Sequence, residues 1–239
     1  MSETETPIRD AAALIVIDRS AGEARVLMGR RRPDQVFLPN VFVFPGGRVD
    51  ETDAAAPSAD ELLVDESRLL ALPREDHAES YDAAFVRGLA LAAVRETFEE
   101  TGLVLGRRAV SATHSVAPAW QAFVAHGVLP QLSTLRYFMR AITPKLRPRR
   151  YDTRFFLADA GDIAVRTEAT DEELSEIGWY DLPSLKSFEV PRMTRFVLDE
   201  LERLENAGLE APATRRLPFF FERDGVAIRA ELSLRSPSS

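Results

Sequence analysis

The run from Asp82 to Thr101 constrains the fold more than any other stretch of the chain. It is rich in alanine, the best helix former, and Gly102 follows as a natural stop. Gly88 inside it costs about 1 kcal/mol relative to alanine, which a helix this long tolerates. Arg87, Leu91, Val94 and Phe98 recur at helical spacing and mark one side. Glu96, Glu99 and Glu100 stand at i, i+3 and i+4, so their carboxylates share one face. In water each like-charged pair costs only about 0.2–0.5 kcal/mol. Partly desolvated, two charges about 5 Å apart cost up to a few kcal/mol at an effective dielectric of about 20. A hard divalent cation removes that penalty, and clustered oxygen donors suit Mg²⁺ or Mn²⁺. Arg95, four residues before Glu99, can pair with it and fix its orientation. Acidic pairs on helices are most often solvated faces, so the cluster gains its meaning from the rest of the chain.

Short apolar runs around this helix predict strands at 11–18, 25–30, 41–44, 135–142, 153–158 and 177–180. Pro45-Gly46-Gly47 stops the third of these as a tight turn. A second helix is expected from Pro191 to Leu204, with proline in its first turn. Residues 52–81 form an acidic stretch, expected to be a surface excursion. In it Ser58 caps a short helix through Leu70, and Leu62, Leu63, Leu69 and Leu70 form the apolar side. This alternation of strands and helices implies a layered α/β or α+β domain of 239 residues.

Composition removes several chemistries. There is no cysteine, hence no disulfide, thiolate zinc site or cysteine nucleophile. A net charge of −8 argues against non-specific nucleic-acid binding, which needs a basic stripe. It leaves room for an anionic small molecule held by a metal and a few arginines. No apolar run nears the roughly 20 residues that span a bilayer, so no membrane partner is expected. The opening residues lack a basic-then-apolar leader, so a cytoplasmic location is expected. His77, His114 and His126 show no metal-ligand spacing.

The segment Arg95-Glu96-Thr97-Phe98-Glu99-Glu100-Thr101-Gly102-Leu103 resembles the second half of the Nudix box, G-x5-E-x7-R-E-U-x-E-E-x-G-U. Its first half is matched by Gly47 and, six positions on, Asp53. An uninterrupted box would place the arginine at position 61. It stands at 95, so the box resembles one split by 34 inserted residues. Asp53 replaces the usual glutamate, and Thr97 replaces an aliphatic residue. The split box, with Phe44-Pro45-Gly46-Gly47, Asp50 and Asp53, is similar to that of the coenzyme A and acyl-coenzyme A diphosphatases and their bacterial relatives. The likeness runs over roughly residues 10 to 205.

This resemblance implies a Nudix-type α/β/α sandwich with a mixed sheet. It places a mostly helical insertion at about 54–87 and a C-terminal extension from about 206. It also implies Mg²⁺ (or Mn²⁺) on Glu96, Glu99 and Glu100, with the Gly46 carbonyl as a further ligand and Arg95 among the catalytic set. A general base is expected at Glu173 or Glu176. Arg30 is the first arginine to grip a diphosphate, then Arg48, with Arg149 or Arg150 after them, while Gly47 lets backbone approach the substrate. Trp120 and Phe123 stack on an adenine or pack in the core. The implied substrate is a small nucleoside diphosphate derivative, coenzyme A or acyl-coenzyme A first, with ADP-ribose, dinucleotides and ADP-sugars still open. Many relatives dimerise, so a homodimer is carried as an open possibility. A non-catalytic ligand sensor is the alternative reading, and sensors of this kind usually lose box carboxylates that are present here.

Overall fold

The computed structural model describes residues 6–35, 38–73, 80–109, 116–145, 147–207 and 216–234. Phe37, His77 and His114 lie outside these described residues. The described residues form thirteen strands: β1 Ile8–Asp18, β2 Arg25–Arg31, β3 Phe42–Val43, β4 Gly46–Arg48, β5 Leu103–Leu105, β6 Arg107–Arg108, β7 Val128–Leu129, β8 Arg136–Ile142, β9 Arg150–Asp159, β10 Ile163–Arg166, β11 Leu174–Asp181, β12 Leu217–Arg223 and β13 Val226–Leu232. The α-helices are α1 Val64–Leu70, α2 Ala83–Thr101, α3 Pro118–Val124, α4 Leu182–Leu185 and α5 Arg192–Ala207.

Nine strands form one mixed sheet in the order β11-β2-β1-β9-β8-β12-β13, with β3 on β2 and β4 on β1. The β1–β9 and β8–β12 pairs are parallel. β1 is a continuous apolar run because both of its faces are covered. Leu14 and Val16 join α2 and α3 in one core, while Ile15 and Ile17 join α5 in the other. The result is the expected α/β/α sandwich, with α2 and α5 on opposite faces. Among the described residues, no helix is long and apolar enough to cross a membrane.

The long helix forms where the sequence places it. Asp82 caps its start by accepting from the Phe85 N–H, and Gly102 closes it at φ 71°. Glycine is required there: a Cβ would stand 2.1 Å from the Thr167 carbonyl, whose residue in turn donates its N–H to Gly102.

Two expectations change. Ser58 caps no helix. Its hydroxyl pairs with Glu61 and Arg87, and α1 begins only at Val64, because Ser58 lies before a stretch held by other contacts. The described part of the stretch at 52–81 is no mere surface excursion either. Ala56, Glu66, Leu69 and Leu70 are buried, whereas Leu63 is exposed. Glu66 accepts from the Tyr137 N–H beside a β8 bulge, and Arg140 donates to the Leu72 carbonyl. These bonds tie the segment to the sheet. In the C-terminal extension the described residues supply β12 and β13, which continue the sheet beyond β8. Their Leu217-Pro218-Phe219-Phe220-Phe221 run carries no clean alternation to announce a strand.

Gly102→Ala is expected to lower stability by more than about 1 kcal/mol, through its left-handed backbone and the contact with Thr167. A urea midpoint unchanged from the parent, at equal slope, would contradict this.

Candidate active site

The centre of the site is the Arg95 guanidinium, which is buried. A guanidinium has five N–H donors in a fixed fork. All of them are used here. Nε and one Nη2 proton go to Asp53 Oδ1 and Oδ2 at 2.8 and 3.0 Å, and the other Nη2 proton goes to the Arg48 carbonyl at 3.0 Å. Nη1 donates to Glu96 Oε1 at 2.9 Å and Glu99 Oε2 at 2.8 Å. Arg95 therefore holds not only Glu99, as the spacing suggests, but also Glu96 and the far half of the box.

The glycine turn closes against the same helix. β4 pairs with β1, Gly46 opposite Ala13 and Gly47 opposite Ala12. The Gly46 N–H donates to Glu100 Oε2 at 2.8 Å. A Cβ on Gly47 would lie 2.3 Å from Glu96 Oε2, so the carboxylate sits where any larger residue would be. Gly46, Gly47, Glu96 and Glu100 thus meet, although 49 positions separate Gly47 from Glu96. Among the described residues, no three acidic or imidazole groups already close into a metal shell, since Glu96 and Glu99 face Arg95.

The electrostatics follow from burial. The Glu96 carboxyl is pushed from its ordinary 4.5 up to about 7, by loss of solvent and by the charge of Glu99, against the pull of Arg95. Burial raises Glu99 as well. Glu100 is driven well above the usual carboxylate range by burial, with the Gly46 bond opposing and Glu96 and Glu173 adding to the rise. For Arg95, burial works against the charge. The bond to Asp53 and the charges of Glu96, Asp53 and Glu99 outweigh it and hold the guanidinium firmly protonated. The donor set consists of oxygens crowded with excess negative charge, which fits a hard divalent cation such as Mg²⁺ or Mn²⁺.

Around this core the candidate residues sort by sheet face. On β2, Leu27 shares the α2 side while Val26 and Met28 share the α5 side. The two-residue period then puts Arg31 toward the glutamates and Arg30 away from them. Arg30 stacks on Phe42 at 4.7 Å and pairs with Glu176 at 3.0 Å. Arg31 pairs with Glu173 at 2.5 Å, and both charges act on Glu100. Arg30, the first arginine candidate, thus stands on the side away from the glutamates and Arg31 on theirs, because α2 covers the Leu27 side of β2. Glu173 is on the glutamate side and Glu176 is with Arg30. The loop before Glu173 is fastened to the helix end, where Thr170 and Asp171 N–H groups donate to the Glu99 carbonyl.

Arg48 contributes its carbonyl to Arg95 and exposes its side chain. Arg149 is exposed, and Arg150 is buried with its guanidinium on the Thr6 and Thr143 carbonyls. His126 packs edge-on against Phe98. Trp120 and Phe123 are fully buried and present no face to a base. Trp120 donates its indole N–H to Asp53 Oδ1 at 3.0 Å. Asp53, whose role the sequence leaves open, is fully buried and central.

A glycine turn locked on a glutamate helix, within an α/β/α sandwich, defines the Nudix class of protein. Residues 7–190 match the family described as the NUDT19 Nudix domain, and the chain belongs to the Nudix hydrolase family. It is 29% identical over 211 residues to a Caenorhabditis elegans protein carrying the name nudix hydrolase 7, covering 78% of this chain and 61% of that one. The chain therefore spans about three fifths of that relative's length. It is also similar to the crystal structure of a NUDIX hydrolase from Alicyclobacillus acidocaldarius, with 30% identity and a TM-score of 0.57, covering 81% of this chain and 90% of that one.

The raised Glu96 pKa carries a sign. A carboxyl that holds its proton more tightly when folded stabilises the protein below about 4.5, and that contribution fades as pH rises to about 7. Without metal, the thermal midpoint is expected to fall between about pH 5 and pH 8, less steeply in Glu96→Gln. Mn²⁺ should restore more at pH 8 than at pH 5, because it competes with protons. Equal pH slopes for the parent and Glu96→Gln would count against this account.

Proposed function

We propose that this chain hydrolyses the diphosphate bond of a nucleoside diphosphate linked to a second moiety, with coenzyme A or acyl-coenzyme A the favoured substrate. The observation that carries the reading is the meeting of Glu96 and Glu100 with the Gly46-Gly47 turn, braced by Arg95. Mg²⁺ or Mn²⁺ would be held by Glu96, Glu99 and Glu100, with the Gly46 carbonyl as a further ligand. Bound there, it would neutralise phosphate charge and acidify a water. The choice of coenzyme A rests on the split box, which resembles that of the coenzyme A diphosphatase group.

The protein's own residues have separate tasks. Arg95 keeps Glu96 and Glu99 in place with two bonds from one nitrogen. Gly46 and Gly47 bring backbone close to the substrate with no Cβ between. Arg31, on the glutamate side of β2, supplies a fork suited to a phosphate once it leaves Glu173. Glu173, freed in the same exchange, is the better-placed general base, since Glu176 is engaged with Arg30. The setting is a cytoplasmic enzyme acting on a small molecule rather than a nucleic acid, in keeping with the charge of −8.

The test is to incubate the chain with Mg²⁺ and, separately, coenzyme A, ADP-ribose and diadenosine polyphosphates, and to identify the products. Coenzyme A should yield 3′,5′-ADP and phosphopantetheine. Turnover of ADP-ribose alone would reject the substrate and keep the chemistry, and no turnover of any diphosphate would reject both. Glu100→Gln should lower kcat by more than about 100-fold, beyond the loss from an outer partner of a metal ligand. Glu173→Gln should reduce kcat more than Glu176→Gln, and the reverse order in steady-state kinetics would exchange their roles.

A further inference from the structure

Asp53 departs from the glutamate of the usual box, and the structure shows what accompanies the shorter side chain. Its two oxygens accept four hydrogen bonds: Arg95 Nε and Trp120 Nε1 on Oδ1, Arg95 Nη2 and the Asp50 N–H on Oδ2. A carboxylate has about four lone-pair sites, so none is left over. Trp120 comes from outside the box, on α3, 67 positions away. It is fully buried, and its ring meets Phe123 edge-on at 5.3 Å, which in turn meets Phe98 of α2 at 5.4 Å. α3 is thereby packed against α2, and the indole N–H has one fixed direction.

We propose that Trp120 is a positioning residue for the metal-holding carboxylates. It fixes Asp53, Asp53 fixes the Arg95 fork, and the fork fixes Glu96 and Glu99. This inference rests on the reading of those glutamates as metal ligands. The contacts run through one rigid group: on the Arg95 fork, Nε and one Nη2 proton go to Asp53, and Nη1 goes to Glu96 and Glu99, while the Asp50 N–H and the Arg48 carbonyl are the backbone partners on either side. A rotation of the Asp53 carboxylate swings Nε and Nη2, and a rigid planar fork carries Nη1 with them. With its two oxygens already at hydrogen-bond distance from four donors, the indole N–H at 3.0 Å among them, the carboxylate cannot move forward by a methylene without crowding those donors. Aspartate at 53 and tryptophan at 120 therefore form a matched pair, each fitted to the other's size.

The test measures Mn²⁺ affinity of the full chain by electron paramagnetic resonance, well below the unfolding temperature, with the thermal midpoint recorded separately. Trp120→Phe is expected to weaken Mn²⁺ binding by about 10-fold, as loss of an outer partner does at metal sites. A tryptophan that only filled the core would lower the midpoint and leave Mn²⁺ affinity unchanged. Benzothienylalanine at position 120 keeps the ring shape and deletes the N–H. It should show the same weakening, which separates the hydrogen bond from the packing even if Trp120→Phe does not fold. Asp53→Glu should also weaken binding, and the double variant Asp53→Glu/Trp120→Phe should bind Mn²⁺ better than either single variant. Parent-like affinity in the benzothienyl protein, or losses that simply add in the double variant, overturns the proposal. A parent chain that binds no Mn²⁺ overturns the metal reading and this inference with it. A parent that binds, beside a benzothienyl protein that binds equally, overturns the role of Trp120 alone.

Discussion

The five hydrogen bonds of Arg95 are the interaction on which the site depends. A buried guanidinium is costly unless every donor is met, and here every donor is. The bonds also do architectural work. Two reach Asp53 and one reaches the Arg48 carbonyl, both in the first half of the box. The other two reach glutamates on the helix that bears the second half. A chain interrupted by 34 residues between those halves needs a physical clasp, and this fork is it.

The same clasp leaves the site short of positive charge. One guanidinium faces Asp53, Glu96 and Glu99, and Glu100 stands nearby on the Gly46 N–H. Burial forbids water from making up the difference, so Glu96 and Glu100 hold their protons well above the ordinary range. Such an arrangement is poor for stability and well suited to a cation that competes with those protons. The excess acidity is local, because Arg31 and Glu173 balance one another at the rim.

The sheet and the inserted segment supply the rigidity this needs. β1 is covered on both faces, so β4 docks on it as part of a fixed platform rather than as a loop. Beneath the start of α2, Arg140 and Arg154 lie over the Tyr81 ring, and Arg140 pairs with buried Asp152 at 2.6 Å. Arg140 also reaches back to the Leu72 carbonyl. The insertion is thus anchored near Leu72 and near Tyr81, within its second half, before the chain enters the glutamate-bearing helix. This explains how a split box keeps its two halves in register.

Much of this was legible in the chain itself. The helix from 82 to 101 and its glycine stop follow from local propensity and capping, and the common face of Glu96, Glu99 and Glu100 follows from a 3.6-residue turn. These are local rules, so sequence suffices. Which arginine faces the glutamates, Arg31 rather than Arg30, depended on which side of β2 the helix covers, and that is a tertiary fact. The fate of the insertion depended on Glu66 finding the Tyr137 N–H, 71 positions away. The partner of Asp53 depended on α3 bringing in an indole from 67 positions away. Sequence determined which groups could hold charge and on what local scaffold they would sit. The tertiary structure alone decided which of them meet, because contacts between distant segments are set by the packing of whole faces rather than by the spacing of residues along the chain.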